Sequence, residues 1–67
     1  MKKQIEKQAQ GNGVIFSIGD KVIVARNSAY AGYTGTIQDC RNGNEILVLY
    51  AFKDVAEWIS TLDVFKI

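Results

Sequence analysis

Catalysis needs groups that attack, exchange protons or hold a metal, and this sequence offers few of them. Cys40 is the single cysteine and no histidine occurs anywhere in the 67 residues. A thiol becomes a strong nucleophile when a base or a cation favours its thiolate, and the usual imidazole partner is missing here. Cys40 is therefore expected to be a buried, inert thiol at a strand end. The same two counts exclude an intramolecular disulfide and a zinc site of the Cys/His kind. Acid–base work would fall to Asp, Glu, Tyr or Lys, and no two carboxylates stand in a recognisable pairing. The chain reads as a non-enzyme, with no catalytic residue, cofactor or metal ligand assigned.

The next candidates are glycines and aromatics in AYAGYTGTI, residues 29–37. Gly32 and Gly35 could offer backbone N–H groups to a phosphate, but a phosphate loop normally carries a lysine and feeds a helix. Thr36-Ile37-Gln38 reads as a strand instead. Both glycines are expected to be structural, Gly32 at a turn and Gly35 where two backbones approach or a strand bends. Tyr30, Tyr33 and Trp58, flanked by Arg26 and Lys53, form the candidate partner-binding set. Stacked rings there could contact bases, side chains or a methylated cation. Alternatively, Trp58 and Tyr50 fill the core and leave only the loop tyrosines exposed.

Charge separates the function classes further. The first twelve residues carry Lys2, Lys3 and Lys7 against Glu6, whereas from residue 13 onward five basic residues face six acidic ones. A nucleic-acid-binding domain normally shows a clear positive excess, because phosphate neutralisation supplies most of the non-specific affinity. Nucleic acid is thus a possible but disfavoured partner, with Lys2, Lys3, Lys7, Arg26 and Arg41 as its candidate contacts. The polar start, with Ile5 isolated, lacks the apolar run of a signal peptide. The longest apolar run, ILVLYAF at 46–52, is far short of the roughly 20 residues that cross a bilayer. A cytoplasmic chain without a membrane span is expected.

These residues must be positioned by short β-elements. Residues 1–12 are rich in helix formers but poor in apolar anchors, and read as a flexible or weakly helical tail ended by Gly11-Asn12-Gly13. Residues 13–67 read as one domain. VIFS leads into KVIVAR, the first full strand; Tyr33–Asp39 is the second, EILVLYAF the third, VAEWIS the fourth and VFKI a short closing strand. Asn42-Gly43 predicts a hairpin turn between the second and third, since both residues tolerate positive φ. Thr61-Leu62-Asp63 predicts a single 3₁₀ turn. The fold class expected is all-β, a small five-stranded barrel. ILVLYAF is apolar at seven consecutive positions, so strand geometry sends part of it to an outer face. Either a loop or the N-terminal segment covers that face, or a partner or second copy does.

GDKVIV at 19–24, followed by Gly32-x-x-Gly35-x-Ile37, resembles the KOW motif of SH3-like barrels in ribosomal proteins and transcription elongation factors. EWISTLDVFKI is similar to the close of such barrels, in which an aromatic strand, a one-turn helix and a short hydrophobic strand finish the sheet. The resemblance covers about residues 16–67 and implies an SH3-like barrel. Arg26-Asn27-Ser28 stands where the KOW pattern has a glycine, and its usual lysines are absent. The reading is a non-catalytic binding or assembly module, acting through a protein partner or as a homo-oligomer. A KOW-type RNA or DNA binder is the alternative, and an accessory protein of a phage or plasmid that inhibits a host factor is a further one.

Overall fold

Asn12 and Gly13 take φ of 52° and 76°, the doubly positive combination that reverses a strand in two residues. They join β1 (Gln8–Gly11) to β2 (Val14–Ser17) in an antiparallel hairpin. The computed structural model describes residues 7–67, and Gln8–Gly11 stand as a strand where a tail or frayed helix is expected. The cause is tertiary. Ala9 and Phe16, paired across the hairpin, are buried in the common core.

The remaining strands are β3 (Lys21–Val24), β4 (Thr34–Arg41), β5 (Glu45–Tyr50), β6 (Ala56–Ser60) and β7 (Val64–Lys66), with a 3₁₀ turn at Thr61–Asp63 before the last. They form one antiparallel sheet in the order β6-β5-β4-β3-β7. The molecule is therefore all-β, with two antiparallel sheets. The five-stranded sheet is not closed into the expected barrel, because β6 and β7 are its edges and do not pair with each other. Instead the hairpin packs on its inward face. Alternation decides that face: Val22 and Val24, Ile37, Ile46 and Val48, and Ile59 point inward and are buried.

Close approach fixes two glycines. A Cβ on Gly35 would lie 2.5 Å from Val48 Cγ1 and 2.6 Å from the Leu49 carbonyl oxygen. One on Gly11 would meet Thr61 Oγ1 at 2.4 Å. Thr61 is itself buried, and its hydroxyl donates to the Gln10 carbonyl at 2.8 Å, which ties the hairpin to the 3₁₀ turn. Asn42 and Gly43 have φ of 55° and 72° in the β4–β5 connection. Gly32, at φ 96°, lies in the β3–β4 loop.

The outward half of β5 has no second layer, yet it is not bare. Leu47 is in register with Trp58, and Leu49 lies between Thr36 and Ala56, so cross-strand neighbours leave both leucines only half exposed. No described helix is long and apolar enough to cross a membrane.

Candidate partner-binding site

The β3–β4 loop and the β5–β6 connection meet at one end of the sheet. Both are built by main-chain bonds: Gly32 N–H donates to the Val24 carbonyl at 2.7 Å, Tyr33 N–H to Tyr30 O at 3.0 Å, and Ala51 N–H to Thr34 O at 3.0 Å. Ser28 Oγ accepts the Tyr30 N–H at 3.0 Å and fixes the loop's crest. Four rings converge as a result. Tyr30 lies 4.9 Å from Tyr50 and 5.5 Å from Phe52, and Tyr33 stacks on Phe52 at 4.4 Å with 27° between the planes.

These rings form a graded series from core to solvent. Tyr50 is buried and Tyr30 half-buried, while Tyr33 and Phe52 remain 47% and 46% exposed. Exposed aromatics held by a rigid neighbour lose little side-chain freedom on binding, so their apolar area is available to a partner at low entropic cost. Lys53 Nζ stands 5.9 Å from the Phe52 centroid and adds a cation at the rim.

Beneath the rings is a carboxylate with hydroxyl partners. Glu57 Oε1 accepts from Tyr50 OH at 2.6 Å and from the Ser28 hydroxyl. Burial, reinforced by the adjacent Glu57 carboxylate, pushes the Tyr50 phenol up to about 12. The network ties the β3–β4 loop to β5 and β6. It anchors the loop that carries Tyr30 to the sheet.

Of the expected set, the structure brings Tyr30, Tyr33 and Lys53 together. Trp58 lies elsewhere: Ile59 takes the inward position on β6, which sends Trp58 to the outer face with Arg41 stacked 4.0 Å above its ring. Arg26 is also separate, donating to the Leu62 carbonyl and pairing with Asp63 at 3.3 Å. Phe52, Glu57 and Ser28 were not singled out by sequence. Phe52 sits in an unbroken apolar run, and only the end of β5 at Tyr50 places its ring in the connection rather than in the strand.

Among the described residues, the expected nucleic-acid contacts Lys7, Arg26 and Arg41 are each paired with a carboxylate. Lys7 pairs with Asp39 at 3.1 Å, Arg41 with Glu45 at 2.8 Å and Lys66 with Asp20 at 3.1 Å, in addition to Arg26 with Asp63. Lys2 and Lys3 lie outside the described residues. Cys40 is buried, and burial with the neighbouring Asp39 charge raises its thiol above the ordinary range, opposite to what a nucleophile requires. No group of described residues could hold a metal ion. Comparison with protein-family models, with curated proteins and with solved structures finds no match for this chain.

Proposed function

We propose that the chain is a non-catalytic binding and assembly module that receives a protein partner on its aromatic end, with Tyr33 and Phe52 as anchors, Tyr30 as their support and Lys53 on the rim. The observation that carries this reading is the stacked, half-exposed Tyr33–Phe52 pair held on a hydrogen-bonded loop. Aromatic anchors of this kind dominate binding energy at protein interfaces. In this reading the fold is an open form of the SH3-like arrangement, supported by the antiparallel pairing of β3 with the closing strand β7 and by the 3₁₀ turn before it. The partner is met in the cytoplasm.

A photo-crosslinking residue at position 53, introduced in the native host, tests the proposal. The expected result is a discrete adduct with one protein, lost in a Tyr33→Ser/Phe52→Ser double variant and not formed from position 42. Equal labelling from both positions, or an adduct indifferent to the double variant, would remove the aromatic end from the function.

A further inference from the structure

A second set of exposed apolar side chains lies on other elements of the fold. Among the described residues, the large apolar side chains left exposed apart from Tyr33 and Phe52 are Val14, Ile15, Ile18, Leu62, Phe65 and Ile67. All belong to β2, the 3₁₀ turn and β7, or flank them. Between β2 and β7 runs a cleft of about 220 Å³ whose apolar lining is Val14, Phe16, Val64 and Phe65. Each of these strands pairs on one side only.

From these observations we propose that a second copy of this chain docks on the open edge of β7, forming a two-fold dimer centred on Phe65. Backbone direction supplies the first argument. Ala25 N–H donates to Asp63 O at 2.8 Å and Ile67 N–H to Lys21 O at 2.9 Å, with Ile23 and Phe65 as Cα partners between them. Residues 63, 65 and 67 therefore bond toward β3, which turns the Val64 carbonyl and the Lys66 N–H toward the open side. In an antiparallel pair with its dyad at Phe65, the Lys66 N–H of each copy meets the Val64 carbonyl of the other. The two phenylalanines then face each other as a non-hydrogen-bonded pair, whose Cα atoms lie about 4.5 Å apart.

Electrostatics supplies the second argument. A lysine on an edge strand ordinarily repels another edge, but the charge of Lys66 is matched within its own chain: its Nζ donates to Ile15 O at 2.8 Å and pairs with Asp20 at 3.1 Å. Asp63 is likewise matched by Arg26. The two charged side chains that begin and end this edge, Asp63 and Lys66, are thus each matched within the chain, and a 67-residue chain with one cysteine and so no internal disulfide gains from the added burial. This surface is separate from the aromatic end, so either can fail without the other.

Sedimentation velocity on the full chain from micromolar to millimolar concentration tests the dimer. The expected result is a reversible monomer–dimer equilibrium that Phe65→Lys weakens about tenfold or more. Mild oxidation of Phe65→Cys should yield a disulfide-linked dimer, whereas Phe52→Cys should stay monomeric. The Phe65→Cys arm decides the matter if Phe65→Lys does not fold. A wild-type chain that remains monomeric at millimolar concentration overturns the proposal, as does linkage that is equally efficient from position 52.

Discussion

Tyr50 carries the clearest residue-scale consequence. Its phenol is raised from the ordinary 10.0 to about 12 by burial and by Glu57, so the folded chain holds a proton that the unfolded chain releases between those values. The native state then binds more protons than the unfolded state, and stability must fall as pH rises through that window. Alkaline melts should show this loss, and Tyr50→Phe should flatten it while costing about 1–2 kcal/mol at neutral pH for the lost bond to a charged acceptor. Gly35→Ala tests a different contact. Its new methyl would press on Val48 and on the immobile Leu49 carbonyl, so denaturant unfolding should show a loss of about 1–3 kcal/mol. The exposure of Tyr33 and Lys53 was legible because both lie between strands, whereas Tyr30, in the same loop as Tyr33, folds back, half-buried, onto Tyr50. The placement of Phe52 and Glu57 was not legible, since it depends on where β5 ends and on how β6 pairs with it.

At the scale of elements, one turn signal was read and its twin was missed. Asn42-Gly43 sits between obvious β-runs, whereas Asn12-Gly13 has the same positive-φ chemistry beside a segment rich in Gln and Lys. Helix propensity is a weak force beside tertiary packing, and burial of Ala9 and Phe16 overrides the segment's helix formers. Strands β3 to β7 follow from β-branched runs and their spacing, but sheet closure is a distance between edges that no local pattern encodes. The hairpin's docking can be probed through Thr61. Thr61→Val keeps the shape but removes the donor to Gln10 O, and should cost about 1 kcal/mol. Amide exchange should then accelerate at Gln8–Ser17 more than in β4 and β5, whereas a uniform change would mean that the hairpin and sheet unfold as one unit.

For the whole molecule, the arrangement of charge decides more than its sum. A net charge of +1 leaves weak nucleic-acid binding open, but Lys7, Arg26, Arg41 and Lys66 are each spent on a carboxylate. Most of these pairs are exposed, so each adds little stability, at most about 1 kcal/mol. Their larger effect is on the surface field, because a cation already beside a carboxylate gains less by moving to a phosphate and releasing that phosphate's counterion. Fluorescence anisotropy with single- and double-stranded RNA and DNA at physiological salt should therefore detect no binding stronger than the non-specific range of about 10⁻⁴–10⁻⁶ M. An affinity above that range which falls steeply with salt would revive the nucleic-acid alternative. Persistence of such binding after Lys2→Ala/Lys3→Ala would locate it on residues 7–67, and its loss would assign it to the two N-terminal lysines. With no such binding, contact with protein through the aromatic rings remains as the reading to test.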